Sequence, residues 1–511
     1  MARVAKVRKV RIEKDSLGEK QVPAEAYYGI QTVRALENYP ISGIPSHPFL
    51  IRAIGMIKQA AALANQELDL LDAKRAGAII QAAKEVIAGK LDDQFVVDVY
   101  QAGAGVSFHM NTNEVVANRA IEILGGARGD YAVLHPNDHV NFGQSTNDVF
   151  PTAMRLAAVL LLEKLFPHVE RLGRAFALKG QEFDHILKSG RTHMQDAVPV
   201  RLGQEFSAYA VAIARCHEQL KHAQESLREL GLGGTAVGTG VNTHPRYQFL
   251  VVKQLSEISG QRLLPTKDMR YAMQSNLAMA AASSALRNYA LELIRISNDL
   301  RLLASGPNTG FAEITLPALQ PGSSIMPGKV NPVIPELVAM VSFQVVGADM
   351  ATALAVQAGQ LELNVMMPTM AWNVLHATEI LKNTTQQFAA LCVEGITANE
   401  ARCRRYAEAT EQVVAALNPY VGYARGAEIA KEARRTGRTV VEIALERKLL
   451  NKKKLEEILD PRRMTEPAPP IPEARRGRAG TGSAAQKATA RRTPRRKASK
   501  SKGRKKSRRR R

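Results

Sequence analysis

One loop of the sequence combines hydroxyl, ammonium and amide groups that can bind a carboxylate and exchange a proton. It runs from Gly322 to Pro332 and reads GSSIMPGKVNP. Its two adjacent serines can donate hydrogen bonds or lose a proton, its lysine supplies a point cation, and its asparagine is a directional donor. Glycines near both ends permit unusual backbone angles, and the final proline favours the first turn of a helix. The alternative interpretation is a mobile capped loop with a solvated lysine.

Four further polar loops lie between helical stretches of the chain. They read GAGVSFHMNTNE, HPNDHVNFGQSTND, GRTHMQDAVP and GLGGTAVGTG. Polar residues on loops between rigid helices are typical of a small-molecule site. Each loop alone could simply cap a helix, because Ser, Thr, Asn and Gly are the usual capping residues. Five such loops in one chain favour a binding site.

Long helices are expected to position these loops. Apolar residues recur at helical spacing, and several stretches approach or exceed 25 residues, which predicts a bundle of long packed helices. The predicted helices cover Thr152 to Phe183, Gly203 to Leu230, Asn276 to Ser305, Pro332 to Val356, and Met370 to Gly395.

The pattern along the chain predicts three domains and a tail. Residues 1–145 should form a mixed, mainly helical domain, residues 146–398 the central bundle of long helices, and residues 399–467 a small helical C-terminal domain. The stretch PAPPIPE is expected to end the ordered chain, since proline removes helical hydrogen bonds. Residues 468–511 contain almost no large apolar residue, which predicts a disordered basic tail.

The tail accounts for most of the net charge of +22. Residues 474–511 contain 18 Lys or Arg and no acidic residue, which leaves 70 − 18 = 52 basic against 48 acidic residues elsewhere. The body therefore has a net charge of only about +4, so its ligand need not be a polyanion.

Cysteine content and hydropathy predict a cytoplasmic protein with no metal, no cofactor and no membrane segment. The three cysteines form no C-x-x-C pair, which suggests neither a zinc site nor a disulfide framework. The N-terminus has no apolar core of the length that a signal peptide needs. The most apolar stretch, AVLLLEKLF, meets two charged residues too soon to span a bilayer.

Two nucleotide-binding motifs can be excluded by counting. Five residues separate Gly322 from Gly328, where a P-loop has four, and Val330 stands where a P-loop has Ser or Thr. The glycines from Gly231 onward follow a helical segment, EQLKHAQESLREL, rather than the strand that a dinucleotide fingerprint requires.

The segment GSSIMPGKVNP resembles the signature of the aspartase/fumarase superfamily. GQSTNDVFPTA (residues 143–153) and GRTHMQDAVP (residues 190–199) resemble two further motif regions of that family, and the resemblance covers roughly residues 11–467. It implies a mostly α, three-domain fold. It also implies a homotetramer with a twenty-helix core, whose active sites each collect residues from three subunits.

The resemblance further implies reversible anti-elimination across a succinate skeleton, giving fumarate and either ammonia or water. The dicarboxylate substrate would lose a proton next to a carboxylate, and preorganised donors would stabilise the resulting aci-carboxylate dianion. The implied base is Ser323, working as an alkoxide whose pKa must be lowered by nearby positive charge and desolvation. Ser145, Thr146 and Ser324 would bind the carboxylate that gains charge. Thr192, Lys329 and Asn331 would hold the other carboxylate, while Asn147 and His193 would face the leaving group.

The choice between aspartate and malate depends on the flanking sequence. NPVIPELV, GQLELNVMMP and the Ser-Thr-Asn triplet at residues 145–147 resemble aspartases, so aspartate is the expected substrate and malate, as in class II fumarases, the alternative. Two residues depart from the family pattern: Val106 stands where aspartases usually have a threonine that helps to bind the amino group, and His109 replaces a usual asparagine. Loss of one hydrogen-bond acceptor could cost the ammonium group about 1–3 kcal/mol.

A third possibility is an inactive relative that binds nucleic acid through its tail. Residues 474–511 could neutralise many phosphates and give salt-sensitive, sequence-independent binding, although such a tail could also be merely solubilising. The complete set of Ser323, Lys329 and Asn331 favours an active enzyme.

Overall fold

Helices make up most of the chain, as its alanine- and leucine-rich composition predicts. The computed structural model describes residues 9–467. Its α-helices are α1 (Ile30–Asn38), α2 (Pro48–Glu67), α3 (Ala73–Ile87), α4 (Val106–Ile123), α5 (Thr146–Glu182), α6 (Leu202–Leu227), α7 (Tyr247–Ser259), α8 (Met269–Gln274), α9 (Leu277–Leu303), α10 (Val333–Gln357), α11 (Met367–Leu391), α12 (Glu400–Ala409), α13 (Asn418–Val421), α14 (Tyr423–Thr436), α15 (Val440–Glu446), α16 (Lys452–Ile458) and α17 (Pro461–Thr465).

The few strands form two-stranded pairs at the edges of the helical body. They are β1 (Val10–Asp15), β2 (Gly18–Pro23), β3 (Leu187–Thr192), β4 (Gln195–Arg201), β5 (Glu229–Leu230), β6 (Leu264–Pro265), β7 (Ile314–Thr315) and β8 (Thr397–Ala398). The pairs β1–β2, β3–β4 and β7–β8 are antiparallel, and β5–β6 is parallel.

The five long helices predicted from the sequence are confirmed as α5, α6, α9, α10 and α11, which pack against one another in a central bundle. Helix α5 begins six residues earlier than predicted. The reason is a capping box, in which the Ser145 hydroxyl and the Asp148 carboxylate satisfy the backbone N–H groups at the start of the helix. Phe176 on α5 packs against Phe206 on α6 and Phe388 on α11, which places the bundle core between these helices.

Helix α5 separates the two ends of the bundle. Its 37 residues give it a length of about 55 Å. Ser145 lies at its start, and the β3–β4 hairpin follows its last turn. We call the end at which α5 begins the capping end, and the end with the hairpin the hairpin end. From Phe183 to Thr192 the chain can span at most about 30 Å, so it cannot return to the capping end.

Helix α10 places the loop 322–332 at the hairpin end. The turn between α10 and α11 is fixed to the capping end, because Ala104 N donates to Val365 O at 2.7 Å. Pro368, in the first turn of α11, lines a small cavity together with Phe150 of α5. Helix α10 finishes just before this turn, and its 25 residues put its first residue about 35 Å away.

One face of α10 is apolar and exposed. Met340, Phe343, Met350 and Leu354 are each more than half exposed. Among residues 9–467, α10 alone is long and apolar enough to cross a bilayer by length and composition, and only 33% of its most apolar window is buried within the chain. The structure therefore leaves a large apolar helical surface without a partner inside one chain.

The remaining helices form two smaller parts. At the N-terminal side, the buried Glu114 of α4 accepts hydrogen bonds from the backbone N–H groups of Gly29, Gln31 and Thr32 at the start of α1. At the C-terminal side, Val414 to Ile458 enclose a hydrophobic cluster separate from the main core. The limits of the three domains remain predictions, and the predicted tail, residues 468–511, lies outside the described residues.

Candidate active site

The start of α5 presents three predicted binding residues in a single turn. Ser145 is the N-cap, and its Oγ accepts a hydrogen bond from Asn147 N at 3.3 Å, while the Asp148 carboxylate accepts one from Ser145 N at 2.9 Å. Capping uses the Ser145 oxygen as an acceptor and leaves its O–H group free to donate. Capping and binding are therefore compatible at this residue. The positive N-terminal end of a long helix is also a suitable place for an anion.

Asp148 attaches the glycine-rich loop at residues 231–240 to this turn. Its Oδ2 accepts hydrogen bonds from Gly233 N at 2.9 Å and Thr235 N at 3.1 Å. Burial raises the pKa of Asp148 to about 6, although these backbone hydrogen bonds act in the opposite direction. Asn147 Nδ2 donates to Ala236 O at 2.7 Å, so its Oδ1 is the atom that it can offer to a ligand. An oxygen acceptor suits an ammonium group.

Thr146 is connected to a buried lysine that the sequence analysis missed. Thr146 Oγ1 lies 2.7 Å from His109 Nδ1, and His109 Nε2 lies 2.8 Å from the Nζ of Lys58. Lys58 is fully buried on α2. One signal was present in the sequence: a lysine within the apolar face formed by Ile54, Ile57 and Ala61 requires buried polar partners.

The β3–β4 hairpin presents Thr192 and His193 at its exposed tip. Thr192 pairs with Gln195, so His193 and Met194 form a two-residue turn, with φ of +54° and +60°. Both residues adopt the left-handed conformation that such hairpins need, which glycine or asparagine usually supplies. Side chains other than glycine in this conformation store strain, a feature common at functional sites.

Buried ion pairs hold the base of this hairpin. Arg191 Nη1 lies 3.0 Å from both carboxylate oxygens of the fully buried Glu313. Lys188, also buried, lies 2.7 Å from Glu205 and 3.3 Å from Glu313. A rigid base of this kind determines where the tip points.

The loop 322–332 closes on itself through its backbone. Gly322 N donates to Lys329 O at 2.9 Å, and Asn331 Nδ2 donates to Gly322 O at 2.8 Å. A side chain at position 322 would meet Lys329 O at 2.3 Å, which explains the glycine. Lys329 Nζ donates to Asn331 Oδ1 at 2.7 Å. The predicted carboxylate-binding pair is thus adjacent, with further N–H groups left to donate.

Two backbone N–H groups point at the oxygen of Ser323. Ile325 N and Met326 N lie 3.2 and 3.0 Å from Ser323 Oγ. Donors of this kind stabilise an oxygen anion more than a hydroxyl, which is the condition for serine to act as a base. Ser324 and most of the loop are exposed in the single chain.

The structure divides the predicted site residues into two groups. Residues 145–147 lie at the capping end, whereas the hairpin tip and the loop 322–332 lie at the hairpin end. Among residues 9–467, no hydrogen bond or ion pair joins that loop to the hairpin tip. One chain therefore does not bring all the predicted residues into one pocket.

Val106 lies apart from the buried lysine. It is the first residue of α4, 40% exposed, and it borders a cavity of about 250 Å³ that Asp15, Arg34 and Ser107 also line. His109, one turn later on the same helix, is buried. Of the two departures from the family pattern, the valine is thus accessible to a ligand and the histidine is internal.

Comparisons with known proteins find similar sequences over most of the chain. Residues 18–347 match a family described as Lyase, and residues 413–466 match one described as Fumarase C C-terminus. The chain is 50% identical to the aspartate ammonia-lyase of Bacillus subtilis (strain 168) over 457 residues, which are 89% of this chain and 96% of the relative. It is 47% identical to the aspartate ammonia-lyase of Helicobacter pylori (strain J99) over 460 residues, 90% of this chain and 98% of the relative.

Solved structures share the fold. A fumarate lyase:delta crystallin from Brucella melitensis bound to cobalt superposes with a TM-score of 0.87 at 48% identity, covering 90% of this chain and all of that one. A recombinant class II fumarase from Schistosoma mansoni also superposes with a TM-score of 0.87, at 37% identity, covering 89% of this chain and 98% of that one.

Proposed function

The chain belongs to the lyase family of aspartases and class II fumarases, and from this premise we propose that it deaminates L-aspartate reversibly to fumarate and ammonia. The observation that carries the choice of substrate is the identity of 47–50% to aspartate ammonia-lyases over about nine tenths of the chain. The similar class II fumarase is 37% identical.

The test is the absorbance of fumarate formed by the purified enzyme from L-aspartate and, separately, from L-malate. We expect turnover of aspartate and little or none of malate. Faster turnover of malate would replace aspartase by fumarase activity, which is the alternative that the sequence left open. No turnover of either substrate would favour a non-catalytic protein.

In the proposed reaction Ser323 removes the proton from the carbon next to the carboxylate that gains charge. Its Oγ, stabilised as an alkoxide by the N–H groups of Ile325 and Met326, takes the proton, and the electron pair moves into that carboxylate. The C–N bond then breaks, a C=C bond forms, and ammonia leaves. The charge on the carboxylate is the part of the transition state that the protein must stabilise.

The turn at the start of α5 is proposed to supply that stabilisation. Ser145 and Thr146 can each donate a hydroxyl proton at the positive end of the helix, and Ser324 would add a third donor from the loop. Removal of one preorganised donor typically costs on the order of 10²–10³ in rate.

The other groups are proposed to hold the rest of the substrate. Lys329 and Asn331, already paired at 2.7 Å, would bind the second carboxylate with Thr192. Asn147 Oδ1 would accept from the ammonium group, and His193 would face it from the strained hairpin tip.

We propose a homotetramer, because a single chain leaves the site incomplete. Residues 145–147 and Ser323 lie at opposite ends of a bundle about 35 Å or more in length, so they must come from different chains to act on one substrate. The exposed apolar face of α10 supports association through the long helices. Five long helices from each of four chains would make the twenty-helix core that the resemblance implies.

For the location we propose the cytoplasm, and for residues 474–511 weak polyanion binding. Cys216, Cys392 and Cys403 are unpaired and buried, which suits a reducing compartment. The 18 basic residues of the tail support salt-sensitive binding to nucleic acid. Truncation after Glu473 should abolish retention on DNA at low salt and leave the lyase rate unchanged. Unchanged retention would assign binding to another surface.

A further inference from the structure

A buried chain of hydrogen bonds runs from α2 through α4 to the start of α5. Its members are Lys58, His109 and Thr146, joined by contacts of 2.8 Å at His109 Nε2 and 2.7 Å at His109 Nδ1. Lys58 and His109 are almost completely buried, whereas Thr146 is half-buried at the capping end. These two hydrogen bonds thus connect the buried amine of Lys58 with the hydroxyl of Thr146, which faces the proposed carboxylate site.

Two amides determine which atoms surround the amine. Asn141 Oδ1 and Gln144 Oε1 each lie 3.0 Å from Lys58 Nζ. Their orientation is fixed, because Asn141 Nδ2 donates to Gln144 O at 3.2 Å and Gln144 Nε2 donates to Val140 O at 3.1 Å. Both amides therefore turn an oxygen, which can only accept, toward Lys58.

Counting protons then fixes the tautomer of the histidine. A lysine ammonium has three hydrogens and no acceptor, and here it has three neighbours: the two amide oxygens and His109 Nε2. When Lys58 is an ammonium, His109 Nε2 must therefore accept, so the imidazole proton is on Nδ1 and is donated to Thr146 Oγ1. Thr146 consequently keeps its own proton available for a ligand.

We propose that His109 is a positioning residue, which together with Lys58 fixes the Thr146 hydroxyl as a hydrogen-bond donor toward the substrate carboxylate. This inference rests on the proposed function, which assigns Thr146 to that carboxylate. The asparagine usual at position 109 in the family also offers one donor and one acceptor. An amide cannot exchange the two by moving a proton, however, whereas an imidazole can.

The electrostatic surroundings keep His109 neutral. Burial lowers the pKa of His109 well below its ordinary value, and the neighbouring Lys58 lowers it further. Burial also lowers the pKa of Lys58, while Asp148 on α5 acts in the opposite direction. Tyr247 on α7, which faces Asp148, is fully buried, and its pKa is raised by burial and by that carboxylate, so it stays a neutral phenol. Because His109 stays neutral, Lys58 is the residue of this hydrogen-bonded series whose charge can change, and burial favours loss of its proton while Asp148 opposes it.

Loss of the Lys58 proton would reverse the direction of the two hydrogen bonds that His109 makes. A neutral Lys58 has two hydrogens for three acceptors, so His109 can carry its proton on Nε2 and donate it to the amine. His109 Nδ1 would then accept from Thr146, and the substrate carboxylate would lose a donor. We expect kcat/KM for aspartate to fall, mainly through kcat, as pH rises through the titration of Lys58, because Thr146 donates to the carboxylate that gains charge in the transition state.

The first test measures the tautomer and needs no substrate. The enzyme is labelled with ¹⁵N-histidine, and solid-state NMR separates protonated from unprotonated ring nitrogens. The signals of His109 are those that disappear in the variant His109→Asn. The expected result at neutral pH is a protonated Nδ1 and an unprotonated Nε2. Protonation of Nε2 alone, or of both nitrogens, would overturn the inference, whether or not aspartate is the substrate.

The second test is a double-mutant cycle in kcat/KM for aspartate. Thr146→Val should lower kcat/KM about 10²- to 10³-fold, mainly through kcat, because it removes a preorganised donor, and His109→Leu should lower it about 10- to 100-fold. The double variant should be within about twofold of Thr146→Val, since His109 acts through that hydroxyl. Multiplicative losses would show that His109 merely fills space.

The variant His109→Asn provides a second test of the role of His109 if His109→Leu does not fold. It should recover most of kcat/KM, because it supplies a donor to Thr146 and an acceptor for Lys58. Its kcat should also lose the decline with rising pH that is expected of the wild type. An unchanged decline in His109→Asn would refute the role of the tautomer.

Discussion

Two inactive variants should restore each other's activity when their subunits are mixed. The variants are Thr146→Val, which alters the capping end, and Ser323→Ala, which alters the hairpin end. The structure places these positions at opposite ends of the helical bundle. The bundle contains α5, with 37 residues and a length of about 55 Å, and α10, with 25 residues and a length of about 35 Å. If each site takes the two residues from different chains, a hybrid oligomer contains some sites with both residues intact.

The expected recovery follows from counting. In a random 1:1 mixture, a site receives an intact Thr146 with a probability of one half and an intact Ser323 with the same probability, so about one quarter of the sites are active. Each variant alone should retain about 1% of the wild-type rate or less, since Ser323→Ala removes the proposed base and Thr146→Val removes one preorganised donor. A recovery to about 25% is therefore well above either parent.

The assay is fumarate absorbance after the subunits have been exchanged by mild denaturant and reassembled. The matched control mixes wild type with the double variant Thr146→Val/Ser323→Ala. Its activity should fall on exchange from about one half to about one quarter of the wild-type value, because intact residues are then dispersed among sites. If the first mixture stays at the level of its parents and the control stays at about one half, while co-purification of untagged with affinity-tagged subunits shows that exchange occurred, the two residues act within one chain and the shared site is refuted.

Three further predictions concern single residues. Ser323→Ala should reduce kcat by at least about 10³ without dissociating the oligomer, measured by fumarate absorbance and sedimentation; near-normal kcat would exclude Ser323 as the base. Val106→Thr should raise kcat/KM for aspartate up to about tenfold, because it restores a hydroxyl acceptor; no change would place the ammonium group elsewhere. Burial raises the pKa of Glu114 to about 7 in the folded chain from an ordinary 4.5, so the wild type loses stability as pH rises between these values. Relative to Glu114→Gln, its free energy of unfolding should fall by about 3 kcal/mol over that range in urea titrations, and parallel curves would contradict the burial argument.

The long helices could be predicted because their apolar spacing is a local property of the sequence. All five central helices were expected within six residues of their observed bounds. The largest error at a start, at α5, arose from reading Ser145, Thr146 and Asn147 as a loop, although Asp148 completes a capping box there. Ser145 both caps the helix and is a proposed ligand-binding residue, which is why neither interpretation alone placed the boundary correctly.

Lys58 could not be assigned from the sequence, because its meaning depends on partners that are distant in the chain. His109 is 51 residues away, and Asn141 and Gln144 are 83 and 86 residues away. Only the packing of α2 against α4 and the start of α5 brings them together. A buried lysine in an apolar helix face signals that polar partners exist, but it does not identify them.

The proposed division of the site between chains has its origin in the helical architecture. Helices satisfy their own backbone groups along their length, so the groups available for chemistry concentrate at their ends and in the loops between them. In this bundle the N-terminus of α5 supplies anion-binding donors at one end, and the loop before α10 supplies the proposed base at the other. Antiparallel association of copies through exposed apolar helix faces would bring opposite ends together, which one chain cannot do by bending. The motifs therefore predict the residues of the site from the sequence, while the lengths of the helices between them are the reason for proposing that those residues come from different subunits.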